Sequence, residues 1–212
     1  MNRATISSLA ELAERASRLH FDKGEYIFKV GDDASCYYLV ASGRVVLSRE
    51  SLSGKPFTFR IAQQGTPLNA VTCFRKRVRL FSARVAEKSE IIAIPCPVFK
   101  GWVLKHPDVA AGIINTMGDL LDGAYTRILD IIDESVENRI LNALSMVSSQ
   151  IGLTLPLTNT DVAELVGTSR ETAARVISRL QGHGLISKSR GAIQILDKPR
   201  LDECATSPFF IV

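Results

Sequence analysis

The stretch from Thr158 to Leu180 constrains this chain more tightly than any other part of it. It spells two short helices joined by a tight turn. Thr158, with Asp161 three residues on, reads as an N-cap and a capping-box partner. Val162, Leu165 and Val166 form the apolar face of the first helix. Gly167 ends it, because glycine enters the left-handed region without a Cβ penalty. Thr168 or Ser169 caps the second helix, and Glu171 lies three residues after Thr168. Ala173, Val176, Ile177 and Leu180 recur at helical spacing and pack inward. Arg170, Glu171, Ala174, Arg175, Ser178 and Arg179 are left on the outer face.

That outer face has a chemistry. An arginine fork matches O6 and N7 of guanine, and a glutamate accepts from the N4 amino group of cytosine, both in the major groove. The N-terminal half of the second helix, with Arg170, Glu171 and Arg175, is the part that enters the groove in such a pair. Ala173 and Ala174 are small enough to allow close approach. Capping and base reading compete for the Glu171 carboxylate. Val166-Gly167-Thr168-Ser169-Arg170-Glu171-Thr172, followed by Arg175, resembles the helix-turn-helix of the cyclic-AMP receptor and fumarate–nitrate regulator (Crp/Fnr) family of bacterial transcription factors. The resemblance implies base contacts at Arg170, Glu171 and Arg175 and a phosphate contact at Ser169. Thr158, Thr168 and Arg179 complete the DNA-facing set expected here. Ile186 and Ile193 lie in two strand-like segments around Ser189-Arg190-Gly191, a wing from which Lys188 and Arg190 reach phosphates.

Composition agrees with a nucleic-acid partner without requiring one. The formal net charge is +4 over 212 residues, and basic residues outnumber acids between Thr154 and Arg200. No apolar run approaches the ~20 residues of a membrane span. Glu11, Glu14 and Arg15 interrupt any signal-peptide layout, so a cytoplasmic location is expected. No nucleophile–base pair, metal cluster or phosphate loop is present, and the chain does not read as an enzyme. Cys36, Cys73, Cys96 and Cys204 include no C-x-x-C pair, so neither zinc nor a disulfide framework is indicated. They read as free, mostly buried thiols.

Toward the N-terminus, Ser7 to His20 reads as an amphipathic helix. The period then changes. Short aromatic and β-branched runs at Phe21–Phe28, Cys36–Val40, Arg44–Ser48, Phe57–Ile61, Phe81–Val85 and Ser89–Ile94 are separated by turn residues at Lys23-Gly24, Gly31-Asp32-Asp33, Ser42-Gly43, Ser53-Gly54 and Gly65. This spacing predicts a β-sandwich or barrel. The glycines and apolar positions from Phe21 to Val45 resemble the cyclic-nucleotide-binding β-roll, in which such glycines serve turns.

The family's cyclic-AMP binders carry a glycine–glutamate pair for the ribose and an arginine before a serine or threonine for the phosphate. Here Gly65 is followed by Thr66-Pro67-Leu68-Asn69, and Phe81 precedes Ser82-Ala83. A buried phosphate without its arginine would cost about 2–5 kcal/mol, so cyclic AMP is not expected as a tight ligand. Any small-molecule effector would meet Leu68, Asn69, Ser82, Ala83, Arg84 and, from the long helix, Tyr125. Haem is not expected, since His20, His106 and His183 all lie far from Cys73 in sequence. An iron–sulfur cluster is not expected either, since no N-terminal cysteine cluster is present. Two features stay open: the basic run Arg75-Lys76-Arg77-Val78-Arg79, as an anion site or a DNA-phosphate contact, and Cys73, as a redox-sensing thiol activated by cationic neighbours.

After Pro95-Cys96-Pro97 and a short helix, Pro107 opens a long helix. Ile114, Met117, Leu121, Ala124, Ile128 and Ile131 recur at alternating steps of three and four, a coiled-coil seam that predicts a homodimer. A second stripe of Ile113, Leu120, Leu129 and Ile132 is expected to face the β-roll. The fold class is therefore α+β: a β-roll sensor domain over 1–106, a dimerisation helix and hinge over 107–133, and a winged helix-turn-helix over 134–212. The expected partners are double-stranded DNA, a second copy and RNA polymerase, with no membrane. A ligand-binding module with vestigial DNA binding is the rival reading.

Overall fold

The computed structural model describes residue 12 and residues 14–51, 56–68, 71–75 and 78–205. They form two compact units. The first gathers the described residues up to Ser51 and from Thr58 to Asn115; the second gathers residues 56–57 and those from Thr116 onward.

The first unit is built on antiparallel pairing. Strands β1 (Ser17–Phe21), β2 (Tyr26–Phe28), β3 (Cys36–Glu50), β4 (Pro56–Gln63) and β5 (Ser82–Pro95) form one sheet in the order β1-β5-β3-β4, with β2 also on β5. Val40, Val45, Leu47, Ala62, Leu68, Ala83, Val85 and Ile91 are almost wholly buried on its inner side, with Phe28. A second cluster joins Leu12, Cys73, Ile94, Cys96, Phe99 and Val103. It lies between the sheet, the one-turn helix α1 (Thr72–Arg75), α2 (Cys96–Val103) and the first turns of α3 (Pro107–Asp133).

Three expectations are corrected in this unit. The helix expected over Ser7–His20 does not reach His20. Leu12 and Glu14 are helical, but Ser17–Phe21 pairs with Ser89–Ala93. The ladder satisfies these backbone groups, and Leu19 and Phe21 alternate inward while Arg18 and His20 stay exposed. Ser42-Gly43 is not a turn between strands. β3 runs straight through it, and the register against β5 shifts between Val40 and Val45. Gly43 has φ +87°, and a Cβ there would stand 2.3 Å from Ser89 Oγ and 2.4 Å from the Lys88 carbonyl oxygen. Glycine here serves a bulge and a close approach rather than a reversal. Finally, Cys73 and Cys96 are not free thiols but a disulfide, with Cα atoms 5.0 Å apart. They stand 23 residues apart in sequence and meet because α1 and α2 share the second cluster.

The second unit holds the rest of α3, then α4 (Val136–Ile151), β6 (Thr154–Leu155), α5 (Asn159–Val166), α6 (Arg170–Gly182), β7 (Ile186–Ser189), β8 (Ala192–Ile195) and α7 (Lys198–Cys204). The chain breaks between α3 and α4 where expected, and Ser135 caps α4 by accepting from the Asn138 N–H at 3.2 Å. Ile140, Leu144, Leu155, Val162, Ile177, Leu180, Ile186, Ile193 and Leu201 form the core under a three-stranded sheet ordered β6-β8-β7. Burial of each such side chain contributes about 1.5–3 kcal/mol. Of the second α3 stripe, Ile113 packs on the first unit's lower cluster. Leu129 and Ile132 lie on the part of α3 in the second unit and are 57% and 71% exposed.

Replacing Gly43 with alanine should destabilise the first unit by about 1–3 kcal/mol, from positive φ and from collision with Ser89. Thermal unfolding followed by circular dichroism checks this. An unchanged transition would show that the bulge can relax.

Candidate nucleic-acid interface

Local chemistry builds the helix pair. Asp161 N–H donates to Thr158 Oγ1 at 3.2 Å, and Thr158 N–H donates to Asp161 Oδ2 at 2.7 Å, a complete capping box. Gly167 closes α5 in the left-handed region, at φ 68° and ψ 45°. Ser169, not Thr168, caps α6: its Oγ accepts from Thr172 N–H at 3.1 Å and lies 3.1 Å from Thr172 Oγ1. Ala173, Val176, Ile177 and Leu180 are buried. Ser169, Arg170, Glu171, Arg175, Ser178 and Arg179 are exposed together on the opposite face.

Within that face the side chains differ in what already holds them. Hydrogen bonds from its own backbone N–H and from Ser169 hold the Glu171 carboxyl below the usual carboxylate range. In the free protein Glu171 therefore serves the helix N-terminus, and it is ionised near neutrality. Arg175 Nη2 donates to Thr172 Oγ1 at 3.2 Å, which points the guanidinium along the helix face. Arg179 is paired with Glu137 of α4, Nη2 to Oε2 at 2.6 Å. Its side chain remains 52% exposed. Lys188 Nζ donates to Asn159 Oδ1 at 2.7 Å, tying the wing strand β7 to the first turn of α5. Arg190 stands exposed at the β7–β8 turn, where Gly191 takes φ 77°. Glu137 and Asn159 were not singled out from the sequence. Nothing in their spacing signals them, because their partners lie 42 and 29 residues away.

The residues expected to meet an effector differ in their surroundings. Leu68 and Ala83 are 0% exposed members of the sheet core. Ser82 Oγ accepts from Val30 N–H at 3.0 Å. Phe81 stacks on Phe59 with ring centres 4.4 Å apart. Arg84 is exposed on β5, Tyr125 is exposed on the part of α3 in the second unit, and Asn69 lies outside the described residues. The basic run is also not a uniform solvated loop. Lys76 and Arg77 lie outside the described residues, and Arg79 is buried, so it cannot be a DNA-phosphate contact. Among the described residues no cluster of His, Cys, Asp or Glu could hold a metal ion, and no helix is long and apolar enough to cross a membrane.

Two family models match the chain: a cyclic nucleotide-binding domain over residues 18–106 and a Crp-like helix-turn-helix domain over residues 138–204. A cyclic AMP receptor protein of Thermus thermophilus is 29% identical over 187 residues, covering 87% of this chain and 86% of the relative. A CRP-like cAMP-activated global transcriptional regulator of Mycobacterium tuberculosis is 22% identical over 203 residues, covering 92% and 91%. The solved structure of the c-di-GMP responsive global regulator CLP of Xanthomonas campestris shares the fold. Its TM-score is 0.79 at 20% identity, covering 91% of this chain and 99% of that one.

Two substitutions separate base reading from phosphate contact on α6. Arg175→Ala should cost about 1–3 kcal/mol on the preferred site and relax preference at one base pair. An equal loss on every sequence would instead assign Arg175 to phosphate. Glu137→Gln should release Arg179 and steepen the dependence of log K on log salt by about one unit. Fluorescence anisotropy over a salt series measures both.

Proposed function

The chain belongs to the Crp/Fnr family of DNA-binding transcription regulators, and from that premise we propose that it is a homodimer reading a palindromic site with α6. The observation that carries this reading is the completed, capped helix pair with Arg170, Glu171 and Arg175 exposed on one face. An intact reading face also argues against a vestigial DNA-binding unit. The dimer rests on α3, where Ile114, Met117, Leu121, Ile128 and Ile131 are 66%, 43%, 51%, 53% and 56% exposed. A row of large apolar side chains left in water on one helix calls for a partner. A two-fold pair would place two reading helices ~34 Å apart, one turn of DNA. On DNA such a dimer would act in the cytoplasm by contact with RNA polymerase.

The effector is something other than cyclic AMP, or none. Phe81 stacks on Phe59, and Ser82 Oγ is engaged by Val30 N–H. Neither Phe81 nor Ser82 brings a countercharge to a cyclic phosphate.

A second reading has one observation behind it. Cys73 is bonded to Cys96, and in a reducing compartment a disulfide is more often redox-sensing than structural. Thiol–disulfide exchange with a low-molecular-weight dithiol would reduce it to two thiols and oxidise the dithiol.

Selection from a random duplex pool with the purified chain and no ligand should recover a palindrome with guanine-bearing half-sites. Calorimetric titration with cyclic AMP should show no micromolar binding. Recovery of no site, with or without cell extract, would sink the first reading. For the second reading, dithiothreitol should change DNA affinity at least about fivefold, the lower end of ordinary coupling. Cys96→Ser should reproduce that change without reductant, and equal affinity in both states dismisses the switch.

A further inference from the structure

A cleft of about 670 Å³ opens on the first unit, between α2, the link from α2 to α3, and Leu12, Glu14 and Arg15. None of the α6 face, the wing, the expected effector residues or the disulfide lies in it. Leu12, Pro97, Val98 and Trp102 make its apolar wall. Val98 and Trp102 pack by one side on the second cluster and stay half-buried. Glu14, Arg15, Lys105 and His106 make its polar rim.

The aromatic part of the wall is held in place. The Trp102 and His106 rings stack, with centres 4.7 Å apart and planes 30° from parallel. His106 Nδ1 lies 2.7 Å from the Trp102 carbonyl oxygen. A carbonyl can only accept, so Nδ1 carries the proton. The Lys105 N–H donates to the same carbonyl at 3.0 Å. Platform and rim are thus fixed within one short stretch of chain before any ligand arrives. The cleft also has an open floor. Gly101 lies inside α2, and a Cβ built on it would meet nothing within 4 Å. Glycine weakens a helix, and here it keeps the space beside Trp102 clear. The rim carries two cations against one carboxylate, and neither Arg15 nor Lys105 is in an ion pair among the described residues.

We propose that this cleft binds a flat aromatic anion, its ring on the Trp102–His106 platform and its carboxylate or phosphate group toward Arg15 and Lys105. The volume is that of a small-molecule site, which falls at roughly 300–1,000 Å³. An aromatic ring covers indole surface that otherwise faces water. The anionic group meets the excess positive charge of the rim. A neutral ring leaves that charge unmatched, and an anion without a ring leaves the platform wet. The site stands apart from the DNA reading, since α6 belongs to the second unit.

Trp102 is the chain's one tryptophan, so its emission reports on the cleft directly. The test is fluorescence titration of the full chain with benzoate and with phenyl phosphate, excited where neither probe absorbs. Acetate, inorganic phosphate and benzyl alcohol are the controls, all at constant ionic strength. The expected result is a saturable change with an aromatic anion, half-complete at about 1 mM, an ordinary affinity for so small a ligand. Acetate and inorganic phosphate should give none, and benzyl alcohol should bind about fivefold more weakly or less. Benzoate alone assigns a carboxylate, phenyl phosphate alone a phosphate ester, and both together the shared chemistry. Gly101→Glu fills the floor and sets a carboxylate one turn before Lys105, and it should abolish the change. Lys105→Gln should weaken both aromatic anions about two- to fivefold and leave benzyl alcohol unchanged. No saturable change with either aromatic anion, an equal response to benzyl alcohol, or an undiminished response in Gly101→Glu overturns the proposal. If circular dichroism shows Gly101→Glu to be unfolded, Lys105→Gln decides, and unchanged binding of the aromatic anions by it overturns the site. DNA affinity tests the reading of α6 separately, and no outcome of the titration bears on it.

Discussion

The first unit depends on one ladder, the antiparallel pairing of Cys36–Glu50 with Ser82–Pro95. Every other described strand of that sheet pairs with one of these two. Such a long pair twists strongly and would splay if kept regular, so its register shifts between Val40 and Val45. Gly43 makes the shift feasible, because Ser89 and the Lys88 carbonyl fill the space a Cβ would take. Ser89 then locks the junction, accepting from Arg44 N–H at 3.1 Å and donating to the Glu87 carbonyl at 2.7 Å. The bulge keeps Val40, Val45 and Leu47 on the buried side across a break in alternation.

In the second unit, the side chains that could read DNA are the same ones that make the helices possible. Thr158 and Ser169 spend their hydroxyls on caps, and Glu171 spends its carboxylate on the N-terminus of α6. Arg179 and Lys188 are held by Glu137 and Asn159. These contacts are exposed and individually weak, so DNA phosphates and bases can compete for them. Before DNA arrives they keep long side chains near one orientation, which lowers the entropy lost on binding.

The position before Ser82 is aromatic and stacked on Phe59. The buried cation is Arg79, held against Phe28 and Tyr38, whose rings stack on each other. A few residues further back, α1 is fastened to α2 through Cys73 and Cys96. The segment between them, described at residues 73–75 and 78–79, is therefore pinned at one end by a covalent bond and at the other by a buried charge.

Signals that act over a few residues were legible in sequence. The capping box at Thr158 and Asp161, the glycine closing α5, the buried face of α6, the break near Ser135 and the exposed row on α3 all follow from periods and caps within single helices. The winged arrangement was legible in the same way. What sequence could not decide depended on partners far along the chain. Ser17–Phe21 carries a fair helical pattern, yet pairing with β5 satisfies its backbone better. Gly43 looks like a turn until the opposite strand is present. Cys73 and Cys96 look like lone thiols because their meeting needs α1 packed against α2. Arg79 reads as one charge in a solvated run, and only packing against Phe28 and Tyr38 buries it. Local periodicity determines which face of an element is apolar; only tertiary packing decides which distant group that face, bulge, thiol or charge will meet.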